Sequence, residues 1–302
     1  MRLSIPGVIG LLCASAAWTL PAQTAPASPA PSALPESAQD LAHDVLYNEL
    51  HDRERDSHWQ YRSECTSASD NYVREQVETD SGPIYRVIER GGAPPDADAR
   101  VREDERIDEY IHDPAQIARV ARTHQEDEDR LAAAMQLLPQ AALFAYDGSA
   151  QNGIVRLAFH PNPAFVPSGM EAHIVHALSG TLTVDLRQKR LIEMRGVVTE
   201  RVDFGYGLLA QVAKGGWYVI HRRPVSGEHW KTDLVDVHLE GHLLLLRTLG
   251  KIQRETRSDF HPVAPGTTLA EAQQLLNRAG AQAVQARLAS PAVDPQGPGA
   301  KN

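Results

Sequence analysis

Cysteine is nearly missing from this chain: two occur in 302 residues, Cys13 and Cys65. That excludes a cysteine-built metal site, and removal of an N-terminal segment would leave a single thiol with no internal disulfide partner. No residue near Cys65 in sequence would lower its pKa, so it reads as a strand residue rather than a nucleophile. Positive charge is also short. Against 39 acids stand 30 lysines and arginines, a formal net charge of −9, which argues against a nucleic-acid partner and against charge-driven docking on an anionic membrane. The apolar run Ile5 to Trp18 is too short to span a bilayer. The chain carries no Gly-x-Ser-x-Gly elbow, phosphate loop or dinucleotide fingerprint, and no internal repeat. Gly205-Tyr206-Gly207 sits inside a strand pattern and reads as a bulge or bend.

What is present suits an exported globular protein. With 42% hydrophobic and 23% charged residues, a sizeable core is available. Arg2, the short apolar run and Leu20-Pro21-Ala22 read as a signal peptide over residues 1–22, which places the mature chain in the periplasm or outside the cell. Residues 23–35 are rich in Ala, Pro and Ser, a linker composition, and residues 290–302 form a Pro/Gly/Ala tail expected to be disordered. Between them, 36–289 reads as one domain. It opens with a helix capped by Ser37 and striped by Leu41, Val45, Leu46 and Leu50. Strands follow over 58–66, 72–79 and 84–90. A helical insertion spans about 96–138, with Asp113-Pro114 opening its second helix and Pro139 expected to stop it. Its acids Glu126 to Asp129 lack a glycine-punctuated ligand loop and read as a solvated helix face. Strands resume at 143–146 and 154–159, and His160-Pro161-Asn162-Pro163 is expected to break pairing. Thr268 and Glu271 form a capping box for a closing amphipathic helix.

Residues 180–224 dominate the pattern. Leu182, Val184 and Leu186 alternate with Thr181, Thr183 and Asp185, as in a half-buried antiparallel strand. Gly215-Gly216 between Leu208–Ala213 and Trp217–Ile220 predicts a tight hairpin, and the whole stretch reads as a meander of about four strands with one apolar face. Phe204, Leu208, Val212, Trp217 and Val219 are the candidates for that face. They either line a ligand cavity or are core, filled by Leu41, Leu46 and Leu275. Leu243 to Leu246 is apolar on both faces and is expected to be central.

The best metal-like set is Asp236, His238, Glu240 and His242. On a strand all four project from one side at about 7 Å intervals, but the glutamate is misplaced for the zinc-protease motif, which needs a helix. A wet sheet face is the plainer reading, and no metal or cofactor is assigned. His173 and His176 could share a helix face without forming a site.

The HPNPAFVP segment, the Gly-Thr-Leu-Thr-Val-Asp strand with its basic turn, and VDFGYGLLAQVAKGGWYVIHR together resemble the lipoprotein-carrier superfamily. These are the outer-membrane lipoprotein-sorting proteins and their periplasmic relatives. The resemblance runs from Phe159 to about Pro262. It implies an α+β fold: a curved, mostly antiparallel half-open β-barrel with helices packed in the concave face around an apolar cavity for acyl chains. No arginine matches the one with which such carriers hold their closed state. The function expected is therefore non-enzymatic binding of a lipid or of an acylated protein, without membrane-spanning segments. The alternatives are an envelope protein-binding module on the same fold, with the acidic helices as its contact surface, and a metal hydrolase around His238 and His242.

Overall fold

Ser37 starts the first helix as the sequence predicts: its hydroxyl accepts the Asp40 N–H at 3.1 Å, and α1 runs Ala38–Glu54. The computed structural model describes residues 36–54, 58–204, 210–239, 241–243 and 254–289. The expected signal peptide, linker and tail, with Leu208 and Glu240, lie outside the described residues. The described residues fall in one unit by their contacts. After α1 come β1 (Trp59–Thr66), β2 (Asn71–Val77) and β3 (Ile84–Arg90), then α2 (Ala97–Ile111) and α3 (Pro114–Ala141). Next are β4 (Ala142–Tyr146), β5 (Ile154–Pro161), α4 (Met170–His176), β6 (Leu178–Asp185) and β7 (Arg190–Val198). The chain continues with β8 (Val202–Phe204), β9 (Ala210–Val212), β10 (Trp217–Ser226), β11 (His229–His238), β12 (Gly241–Leu243), β13 (Arg254–Pro262) and α5 (Leu269–Ala289).

The fold is α+β. Ten strands form one antiparallel sheet, not closed into a barrel, in the order β3-β2-β1-β13-β11-β10-β7-β6-β5-β4, and β12-β9-β8 form a separate small sheet. Four sequence expectations change here. The Gly215-Gly216 turn does not pair β9 with β10. Instead Gly215 N–H reaches Val198 O and Val198 N–H reaches Gly216 O, both at 2.8 Å, so the turn delivers β10 to β7. The meander is therefore interrupted by a two-strand excursion into the small sheet. Leu243 ends β12 in that sheet rather than the centre of the large one, and residues 244–246 lie outside the described residues. Pro139 lies inside α3, two residues before its end; a missing N–H there removes only one bond of the final turn. Pro161 still pairs with Ala142 of β4, because pairing on the β6 side has already stopped at Phe159.

Apolar side chains clothe the sheet on opposite faces at its two ends. On β4 to β7, Phe144, Leu157, Leu182 and Leu191 meet Leu41, Ala42, Val45 and Leu46 of α1. On β2 and β3, Val77 and Ile84 meet Ile107 of α2 and Ala272 and Leu276 of α5. Strand alternation puts Val77 and Ile84 on the side away from Gln76 and Tyr85. Following the register across the sheet, that is the face opposite to α1. Leu41 and Leu46 thus fill one side, while Leu275 belongs to the other.

Two further features hold this arrangement. Both outer strands are blocked by helix side chains, which removes the free edge that invites pairing with another chain. Gln39 of α1 accepts the Phe144 N–H at 3.1 Å and donates to Ala142 O at 3.3 Å on β4. Glu103 of α2 accepts the Val87 N–H at 2.8 Å while Arg106 donates to Tyr85 O at 2.7 Å on β3. The second feature is the seat of α1. Glu49, with no exposed surface, accepts from Arg190 Nε and from the Leu191 N–H, each at 2.9 Å, and pairs with Arg222 of β10. Arg190 also pairs with Asp52.

Candidate functional site

Cross-strand partners in an antiparallel sheet point the same way, so the register can be followed from strand to strand. One row crosses nine of the ten strands of the large sheet on the α1 face. It begins Tyr146, Leu157, Leu182, Met194 on β4 to β7. It continues Ile220, Val235 on β10 and β11. It ends Glu255, Cys65, Tyr72 on β13, β1 and β2. Six apolar or aromatic positions are followed by a carboxylate, a thiol and a phenol.

The row has three zones. Leu157 and Leu182, with Met194 and Tyr146 packed against them, belong to the α1 cluster. Ile220 and Val235 continue the apolar strip but belong to none of the three apolar clusters. Beside them run Tyr218 and Val237, paired across the same two strands. Tyr218 lies over Gly196, where a Cβ would fall on the tyrosine ring, so glycine is what lets the ring lie flat on β7. Burial raises the Tyr218 phenol pKa above its ordinary value.

The third zone is charged. Two residues further along each strand, Arg74, Ser63 and Arg257 are directly opposed on β2, β1 and β13. The small Ser63 between them lets both guanidinium groups lean over it toward Glu255. One Glu255 oxygen accepts from Ser63 Oγ at 2.6 Å and Arg74 Nη2 at 3.2 Å, and the other from Arg257 Nη2 at 3.0 Å. Burial would raise the Glu255 carboxyl, but Arg257, Arg74 and the Ser63 hydroxyl overcome it and hold the pKa at about 2. Arg74 lies over the Tyr85 ring at 5.2 Å and Arg257 over the Tyr61 ring at 5.4 Å. Tyr61 accepts a hydrogen bond from Gln76, and burial raises its phenol pKa. Cys65 is buried in β1, and desolvation raises its thiol, which suits packing rather than nucleophilic attack.

The residues singled out from sequence fall elsewhere. Trp217 and Val219 alternate with Tyr218 and Ile220, so they occupy the face of β10 away from α1. Trp217 is 38% exposed and stacks on His238 at 4.2 Å. Val212 is buried with Ala177, Val198 and Val202, and Phe204 ends β8, so these two are brought together in the small sheet. Leu208 is outside the described residues. The metal-like set is divided: β11 ends at His238, and His242 is on β12 in the other sheet. Asp236 pairs with Arg254 at 3.0 Å. His173 and His176 each place a ring nitrogen on a backbone carbonyl, of Gly169 and Asn162. Among the described residues no three His, Cys, Asp or Glu are grouped to hold a metal ion, and no helix is long and apolar enough to cross a membrane.

Sequence reasoning missed Arg74, Glu255 and Arg257. Each sits at a polar position of an alternating strand, and such positions normally face water. The signal lay in the shared parity of Trp59, Tyr61, Ser63 and Cys65, all of which are buried. A groove of about 340 Å³ under α5, lined by Gln60, Pro262, Thr267, Glu271 and Arg278, is open and shares no residue with the row. Set against protein-family models, curated proteins and solved structures, the chain matches none of them.

Proposed function

We propose that this is an exported, non-enzymatic protein that binds a lipid, or the acyl chains of an acylated protein, on the α1 face of a sheet bent into a half-open barrel. The observation that carries the reading is the middle zone of the row. Tyr218, Ile220, Val235 and Val237 extend the apolar face two strands beyond the cluster that α1 fills. An apolar face must be covered by something, and an acyl chain is a cover of matching chemistry. The resemblance of residues 159–262 to the lipoprotein carriers supports the same reading, as does the export signal read from residues 1–22.

The test is uptake of an acyl probe. Full-length protein titrated with a fluorescent fatty acid should show saturable binding with a blue-shifted emission. Ile220→Asp with Val235→Asp should weaken it at least tenfold while the far-ultraviolet dichroism is kept. Native mass spectrometry should show lipid carried through purification. No uptake and a bare protein mass would refute the proposal.

A further inference from the structure

The charged end of the row has a composition that packing alone does not require. Two guanidinium groups face one carboxylate, so one positive charge is left over in a chain whose formal net charge is −9. Glu78, which also bears on Arg257, stands 3.9 Å from Lys231, a cation that offsets it. Arg74 and Arg257 each bind Glu255 through Nη2 only. Their Nε atoms are buried without a hydrogen-bond partner among the described residues. Their Nη1 atoms also lack such a partner and are not among the fully buried atoms, so their N–H groups are free to donate to a ligand oxygen. The two side chains are 14% and 27% exposed. The two guanidinium groups lie over the Tyr85 and Tyr61 rings, and Glu255 fixes one arm of each. The unused arms are thereby oriented before any ligand arrives, which lowers the cost of recognition.

We infer that Arg74 and Arg257 form a seat for a singly or doubly charged oxyanion, the phosphate or carboxylate head of an amphiphile whose chain lies along Val235 and Ile220. The direction is set by the register: Glu255, which both arginines hold, is the cross-strand neighbour of Val235, and Val235 of Ile220. A planar guanidinium meets a phosphate or carboxylate through paired N–H donors, and two such groups around one residual charge favour an anion over a zwitterion or cation. This inference rests on the acyl-binding reading, and its test separates the two.

The experiment measures binding of dodecyl phosphate, dodecylphosphocholine and inorganic phosphate to the full chain by calorimetry, below the micelle concentration. The expected result is that dodecyl phosphate binds about tenfold or more tightly than the zwitterion, the value of one charge-assisted hydrogen bond. Arg74→Gln should remove that preference, weakening dodecyl phosphate more than dodecylphosphocholine. Glu255→Gln, which adds one net positive charge, should strengthen anion binding. Equal affinity for both amphiphiles would overturn the seat and leave acyl binding standing. If neither amphiphile binds, acyl binding fails. In that case inorganic phosphate binding lost in Arg74→Gln would sustain the seat as a free-anion site, and no phosphate binding would overturn it as well.

Discussion

Replacing Glu49 by glutamine tests whether α1 is seated by charge as well as by apolar packing. The carboxylate is fully buried; Arg190 Nε and the Leu191 N–H donate to one of its oxygens, and the Arg222 guanidinium forms an ion pair with the other. The side chains of Arg190 and Arg222 are only 10% and 13% exposed, so neither cation can recover its hydration if the anion is removed. Asp52, at 21% exposure, would remain as their only acidic partner among the described residues. Removing one member of a buried pair costs about 3–5 kcal/mol, because the remaining charge is left uncompensated. For a folded region of this size each kcal/mol moves Tm by about 2–4 °C, so the Glu49→Gln protein should melt roughly 6–20 °C below the parent. Thermal and urea unfolding followed by circular dichroism would measure it. Asp52→Asn should cost no more than about 1 kcal/mol, since that pair is partly solvated. Replacing Glu49, Arg190 and Arg222 together by Leu, Met and Met should recover most of the loss, because no charge is then stranded. A Glu49→Gln protein within about 1 kcal/mol of the parent would show that α1 is held without this cluster.

Three other consequences are open to measurement. Glu255 has a folded pKa of about 2 against an ordinary 4.5, so the stability it contributes is present above pH 4.5 and is lost as pH falls toward 2. That is about 3 kcal/mol by linkage, and a urea series across this window should lose its steepest part in Glu255→Gln. Gly180→Ala would place a Cβ 2.8 Å from the Arg195 carbonyl carbon and 2.9 Å from Gly196 Cα, both backbone atoms; a loss of about 1–3 kcal/mol is expected, and a gain would contradict the β6–β7 register. Gln39→Ala frees the Phe144 N–H and the Ala142 carbonyl on outer strand β4; sedimentation should then detect more self-association than in the parent, and an unchanged sedimentation coefficient would mean that Gln39 does not guard that edge.

Local order was legible in the sequence and distant pairing was not. Strand alternation in Trp59–Thr66, Ile84–Arg90 and Leu178–Asp185, the Asp113-Pro114 helix start and the Thr268–Glu271 box are each fixed by neighbours within a few residues, and all are in the structure. The Gly215-Gly216 turn misled because a turn signal says that the chain reverses but not which strand it returns to; Val198, rather than residues of β9, receives it. The charged zone was invisible for the same reason. Its parts come from residues 61–76 and 255–257, which the β1–β13 pairing joins across most of the chain length. Nothing local distinguishes Glu255, which is buried, from Glu64, one parity away on β1, which is exposed.

The two buried charge clusters are not equivalent, and the difference bears on function. Around Glu49 two arginines face two acids and the helix they hold is packed on the sheet, so the charges balance, although Arg222 Nε there also has no hydrogen-bond partner among the described residues. Around Glu255 two arginines face one acid, and the donors on the far side of each guanidinium have no partner among the described residues. Burying an arginine–carboxylate–arginine set gives little net stability, and apolar residues of similar volume usually serve a core equally well or better. A strand face at β13, β1 and β2 built only to be covered would therefore continue the leucines and valines of β5 and β6. Apolar positions up to Val235 and charged ones from Glu255 onward are what an amphiphile lying across the strands would need, chain on one side and anionic head on the other. On that account, converting Arg74, Glu255 and Arg257 together to Met, Leu and Met should leave the protein at least as stable as the parent and still able to take up an acyl chain. It should lose its preference for dodecyl phosphate over dodecylphosphocholine, and retention of that preference would place the head of the ligand elsewhere.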